Sequence, residues 1–290
     1  MNRKQIRSWL MYDWANSAFA ATMLAAVLPI YYKEVAGAGL PGNTAENYWG
    51  YTQTIAMLLV AIVSPVLGAV ADMSGRKLAF LRLFAYMGAV SCFLFAFAGE
   101  GDYFFASVLV VLGTLGFSGG NTFYDALLTD LVPPERRDSV SAMGYAYGYI
   151  GGGVLLAVNL AMIEGWSWFG FSDKAAATRA AFVTVGLWWF LFSLPIFRAL
   201  RDPGTGSGLR VRQYAAAGFS QIARTIRGMR RYPELLKYMI SYWFFNDGIN
   251  TIITMATIYG AGIGINTTDL ILALVITQFV GIPFTVLFGK

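Results

Sequence analysis

In a chain made mostly of apolar residues, the polar side chains that recur at helical spacing are the ones able to do chemistry. The run Tyr12-Asp13-Trp14-Ala15-Asn16-Ser17 puts Asp13, Asn16 and Ser17 on one helical face at i, i+3 and i+4. Asn121 and Asp125 are one turn apart, and so are Asn246 and Asn250, with Asp247 and Thr251 on an adjoining face. All lie inside long apolar runs, where a charged group costs roughly 3 kcal/mol unless it is paired or faces water. Amides and carboxylates gathered on a cavity can bind the ammonium and carboxylate groups of a small solute. The competing reading of each residue is an interhelical hydrogen bond or, for Asp13 near a span end, a cap. Asp125 is the candidate for a protonation coupled to binding, because it lies deeper than Asp13 and its own run holds no cation.

The inventory also excludes chemistry. The chain has no His and one Cys, Cys92, which sits in an apolar run. His-based catalysis, His metal ligation, Cys metal sites and disulfides are therefore ruled out. No catalytic residue, metal site or cofactor is expected.

A second constellation is Gly68-Ala-Val-Ala-Asp72-Met-Ser-Gly75-Arg76-Lys77, which ends one apolar run and opens the next. Helices joined by so short a charged loop are antiparallel neighbours. Gly68 is expected to let a neighbouring helix approach closely. Asp72 can accept backbone N–H groups at a nearby helix start, and Arg76 offers a planar fork of donors to a carboxylate.

The elements that must carry these residues are membrane helices. Hydrophobic residues make up 57% of the 290 and charged ones only 13%, with a net charge of +5. Such a composition cannot clothe a soluble globule. Apolar runs of about 20 residues are expected to form eight spans: Trp9 to Tyr32, Tyr48 to Ala71, Leu78 to Ala98, Tyr103 to Leu128, Ser139 to Ile163, Ala180 to Ala199, Tyr238 to Ala261 and Leu270 to Gly289. The second, third and sixth read as nearly bare of polar groups. The fifth carries Gly144, Gly148, Gly151, Gly152 and Gly153 at spacings that permit close helix contact and bending.

Cations fall on one side of this pattern: Arg3, Lys4, Arg7, Arg76, Lys77, Arg136, Arg137, Arg198, Arg201 and the arginines up to Lys237. The other side holds Lys33, Lys174 and Arg179. That bias places the N-terminus in the cytoplasm. The basic pI reflects topology, and no nucleic-acid partner is expected. Residues 1–200 read as a six-helix half, 201–237 as a cytoplasmic linker, and 238–290 as two spans of an incomplete second half. The linker opens with the Gly-rich stretch Asp202 to Gly208. From Val211 to Met229 it has the pattern of a basic amphipathic helix, lying on the membrane or packed beneath the bundle. Pro283 to Lys290 mirrors Pro65 to Gly68, which suggests a repeat broken at its equivalent loop and four absent spans.

The Gly68 to Lys77 loop resembles the signature loop of the major facilitator superfamily. Tyr12 to Phe19, Phe123 to Leu128, Gly148 to Gly152 and Phe245 to Gly248 together resemble the branch containing the autophagy-related vacuolar amino-acid effluxers and their bacterial relatives. The resemblance implies an all-α bundle of twelve spans in two halves, of which eight are present, with a cavity between the halves and alternating access. It implies that Asp72 and Arg76 join a charge network with Asp130, the acid ending the fourth span. Two features depart from it: the fourth span lacks the Arg of many proton-coupled members, and the glycine run lacks the Gly-Pro step of antiporters.

The reading that follows is a secondary transporter in a bacterial plasma membrane. It moves a small polar solute, an amino acid or similar zwitterion, with a coupling proton or ion. The alternatives are a non-transporting or regulatory remnant of a longer transporter and, behind it, a membrane-embedded transferase.

Overall fold

The structure is a computed structural model that describes residues 3–203, 220, 224, 225, 227–229 and 231–289. Every regular element among the described residues is helical. We label them α1 (Arg3–Ala26), α2 (Leu28–Ala36), α3 (Thr44–Ser74), α4 (Lys77–Phe97), α5 (Tyr103–Leu131), α6 (Pro134–Glu164), α7 (Lys174–Ala199), α8 (Pro233–Gly262) and α9 (Thr267–Phe288).

The first expected span is two helices. α1 and α2 meet at 42° across Val27, and Phe19–Ala26 is wound as a π-helix. Pro29 supplies the physical reason. It has no N–H to give to the carbonyl of Ala25 one turn back, so the α-helical ladder has a gap there. The Thr257 hydroxyl of α8 fills that gap, donating to Ala25 O at 2.6 Å. Two further π-helical turns follow: Tyr32–Ala36 ends α2, and Leu115–Gly119 interrupts α5 just before Asn121.

Among the described residues, six helices are long and apolar enough to cross a membrane, and the α1–α2 pair brings the number to seven. α8 has the length, at 30 residues, but Asn246, Asp247 and Asn250 dilute its apolar run. The expected count of eight is not confirmed on this measure. The expected amphipathic helix from Val211 to Met229 lies almost wholly outside the described residues.

Missing side chains set the helix packing. A Cβ on Gly148 would lie 2.5 Å from Ser17 Oγ, one on Gly151 would strike the Trp14 carbonyl, and one on Gly152 would lie 2.9 Å from Ser17 O. α6 therefore presses backbone-close to α1, as the glycine run predicts. Gly88 likewise makes room for the fully buried Trp189 of α7. Gly116 sits against the α4 backbone, a Cβ there being 2.6 Å from Gly88 Cα. Gly68 does not behave this way. An added Cβ would meet only Thr122 Cγ2 at 3.8 Å, an ordinary contact, so the close approach expected of it is not used here.

α9 packs on α6, where Gly281 faces the Tyr149 ring and Gly153 faces Gln278. α8 is held mainly at its C-terminal end, where Thr257, Ile258 and Gly260 are buried. Residues 233–253 are exposed apart from half-buried Leu236.

Candidate functional site

A cavity of about 900 Å³ opens between α3 and α8. Its register is set by Trp49, whose indole N–H donates to Thr254 O at 3.1 Å. Because α3 and α8 run antiparallel, one turn onward along α3 from Trp49 and one turn back along α8 from Thr254 bring Gln53 and Asn250 to the same depth. Both line the cavity, together with Asn246, Asp247, Thr251 and, from α5, Ser118. Asn250 Nδ2 donates to Asn246 O at 2.9 Å, which fixes the amide and leaves its oxygen available. Gln53 is 6% exposed, and neither of its amide atoms has a hydrogen-bond partner.

At the far end of the cavity stands Glu46, whose Oε1 is 2.8 Å from Lys33 Nζ. The pair joins the end of α2 to the start of α3. The last turn of α8 covers it, a Cβ on Gly262 being 3.4 Å from Lys33 Nζ. A cation there also meets the negative end of the α8 dipole.

Four of the seven expected cavity residues lie elsewhere. Asn16, only 1% exposed, donates through Nδ2 to Asn121 Oδ1 at 2.6 Å and so ties α1 to α5. Asp13 accepts from Ser17 Oγ at 3.3 Å. Its carboxylate fills the space left by two glycines, since a Cβ on Gly144 or Gly148 would lie 3.1 Å from its oxygens. Asp125 is exposed and near enough to Asp13 for their charges to interact. Between α1 and α5, the Trp9 and Tyr124 rings stack at 4.3 Å and the Trp9 indole donates to Tyr124 O at 3.0 Å. The structure thus brings Asn246, Asp247 and Asn250 together on the cavity, and groups Asp13, Asn16, Asn121 and Asp125 at the α1–α5–α6 contact.

The charged loop is built around Gly75. It takes φ +62°, and Arg76 N donates to Ala71 O at 3.2 Å, ending α3 with a left-handed cap. The chain then turns so that Arg76 becomes the residue before α4, with its side chain exposed. Lys77, the first helical residue, faces the end of α5. Its ammonium is 3.0 Å from Asp130 Oδ2 and 3.4 Å from Asp72 Oδ1. The resemblance implied a network of Asp72 and Arg76 with Asp130; among the described residues Lys77 holds both carboxylates and Arg76 does not bridge to Asp130. The phase of α4 selects one of two adjacent cations.

Residues missed from sequence are Gln53, Glu46 and Lys33. α3 gives the cavity Glu46, Asn47, Gln53 and Thr54, the last two from within the run Tyr48 to Ala71 that reads as nearly bare. Gln53 carried the same signal as the asparagines, an amide at membrane depth, without a second polar residue one turn away to mark it. Asn159 of α6, fully buried and accepting from Thr184 Oγ1 at 2.8 Å, was also missed and serves helix packing.

Solved structures share this fold. The xylose transporter XylE from E. coli, a proton:xylose symporter of the major facilitator superfamily, superposes with a TM-score of 0.63 at 16% identity, covering 98% of this chain and 66% of that one. The helical bundle therefore has the fold of that structure. Sequence narrows the class. The family model described as "Vacuole effluxer Atg22 like" matches residues 42–289. The chain is 34% identical over 297 residues to the uncharacterized MFS-type transporter YxiO of Bacillus subtilis, covering 99% of this chain and 67% of the relative. It is 22% identical over 387 residues to autophagy-related protein 22 of Coccidioides immitis, covering 97% and 63%. The chain belongs to the family described as "Vacuole effluxer Atg22 like", and it spans about two thirds of the length of these relatives.

Proposed function

We propose that the protein is a secondary active transporter that moves a small polar solute, an amino acid or similar zwitterion, by alternating access. The observation that carries this reading is the 900 Å³ cavity lined by Gln53, Asn246, Asp247 and Asn250. Amide oxygens and the Asp247 carboxylate can receive an ammonium group, and amide N–H groups can donate to a carboxylate. Lys77 with Asp72 and Asp130 forms a charged latch at one end of the bundle, and Lys33 with Glu46 forms one at the other. Opening them in turn would expose the cavity to alternate sides. In this proposal the N-terminus lies in the cytoplasm of a bacterial cell and Asp125 carries the coupling proton.

Uptake of labelled amino acids by liposomes containing the purified chain tests the proposal. Accumulation that responds to an imposed pH gradient is the expected result, and Asp125→Asn should abolish that response. Unchanged pH dependence in the variant would remove Asp125 from the coupling role. Binding of solute to the liposomes without accumulation would instead support a non-transporting relative that regulates or partners a longer transporter.

A further inference from the structure

The lining of a second, smaller pocket is unlike that of the solute cavity. It has a volume of about 390 Å³ and lies where the start of α4 meets the end of α7, lined by Leu78, Ala79, Arg82, Phe197, Leu200 and the group Arg198, Arg201 and Asp202. Three guanidinium groups and one carboxylate share this small volume. The carboxylate is already committed: Asp202 Oδ1 accepts from Leu78 N at 2.8 Å and Oδ2 from Ala79 N at 2.9 Å. Asp202 thereby caps α4, whose preceding residue Arg76 makes no side-chain cap. None of the three arginines makes an ion pair among the described residues. Arg82 lies over the Phe197 ring at 5.2 Å and reaches Phe197 O at 3.5 Å, which leaves most of its five donors unused.

The position of the pocket says what anion would come. Arg82 is in the second turn of α4 and Arg198 in the last turn of α7, both membrane-spanning helices, so the guanidinium cluster sits at the level of the bilayer surface. Below it the outer faces of the same two helices are apolar and exposed: Leu83 and Val90 on α4, Leu187 and Leu191 on α7. Tyr86 bridges the faces, its ring 5.4 Å from Phe190 and 5.6 Å from Phe197. A positively charged pocket above a continuous apolar flank is complementary to a molecule with a phosphate at one end and hydrocarbon at the other. A free anion would use the first part and ignore the second.

We infer that the α4–α7 pocket is a binding site for an anionic phospholipid, with Arg82, Arg198 and Arg201 holding the headgroup phosphate and the outer faces of α4 and α7 carrying the acyl chains. The site is separate from the solute cavity, and the inference does not depend on transport. By fixing the start of α4, the lipid would brace the loop that holds Lys77.

The test uses the purified full chain in neutral detergent, with phosphatidylglycerol, phosphatidylcholine and inorganic phosphate as probes. Native mass spectrometry counts retained lipid and thermal unfolding reads stabilisation. Phosphatidylglycerol should be retained and should raise the melting temperature, and phosphatidylcholine should do neither. Arg82→Gln, Arg198→Gln and Arg201→Gln should each weaken retention about fivefold, the worth of one arginine at an anionic surface. A triple variant with Arg3, Arg7 and Arg224 each changed to Gln removes three positive charges outside the pocket, more than any single pocket variant, and should still retain lipid like the parent. The inference is overturned if that control loses retention as much as the pocket variants, or if phosphatidylcholine binds equally. Displacement of the lipid by millimolar phosphate would overturn it too, by showing a free-phosphate site. Solute uptake, measured on the same single variants, reports separately on the transport proposal.

Discussion

Lys77 and Asp130 close one end of the bundle, ammonium to carboxylate at 3.0 Å, with Asp72 a further partner of the same ammonium at 3.4 Å. The Lys77 side chain is 19% exposed and that of Asp130 54%, so solvent screens the pair and its coupling should be about 0.5–1 kcal/mol. A double-mutant cycle with Lys77→Gln and Asp130→Asn, read by thermal unfolding, should return that value. The same cycle with Arg76→Gln in place of Lys77→Gln should return none. A larger coupling through Arg76 would refute the assignment of the bridge to Lys77.

Gln53 presents a trade between stability and binding. Each of its two unpartnered amide atoms costs about 1–3 kcal/mol while buried. Gln53→Leu should therefore raise the melting temperature. If the amide meets solute, the same variant should raise the KM for uptake roughly tenfold, the effect of losing one good hydrogen bond. A raised melting temperature with unchanged KM would make Gln53 a packing residue.

The glycines divide into two groups that an alanine scan should separate. Gly148→Ala and Gly151→Ala force a methyl into Ser17 and Trp14 and should each cost about 1–3 kcal/mol. Gly68→Ala, with only the Thr122 methyl at 3.8 Å, should be nearly neutral in stability. Equal destabilisation at all three positions would contradict the α1–α6 packing described above.

Asp173 caps α7, accepting from Ala176 N at 2.7 Å and from Ser172 Oγ at 3.0 Å. The backbone N–H of Ala176 holds its carboxyl below the ordinary value of 3.8. A depressed carboxylate pKa stabilises the folded state above the unfolded value, and the contribution is lost as pH falls through the lower folded one. Asp173→Ala should thus melt below the parent at neutral pH, and the gap should close on acidification below about pH 4. A gap that persists in acid would assign the effect to something other than the charged cap.

The long helices and the tight glycine contacts were legible because each follows from local chemistry: apolar length and absent side chains. Which neighbour a side chain meets was less so. Arg76 and Lys77 are adjacent cations, and only the phase of α4 against α5 decides between them. Asn16 and Asn121 were expected on a cavity and are instead hydrogen-bonded to each other, a choice set by helix proximity across 105 positions of sequence. Pro29 stood in plain view inside the first apolar run. Its effect could not be located without knowing that a hydroxyl from α8 would take the vacated place.

That hydroxyl gives the first span an unusual dependence. The bend between α1 and α2 leaves Ala25 O without its helical donor, and Thr257 supplies one from a helix more than two hundred residues away in sequence. Sliding α8 along α1 would strand the carbonyl in a nonpolar surrounding, at about 1–3 kcal/mol. A straightened α1 could not take the bond back, because the proline nitrogen has nothing to offer. The two helices therefore behave like a hinge and its pin. α8 can rock about Thr257 with little penalty, while translation past it is resisted, so movement of the cavity wall is channelled into rotation.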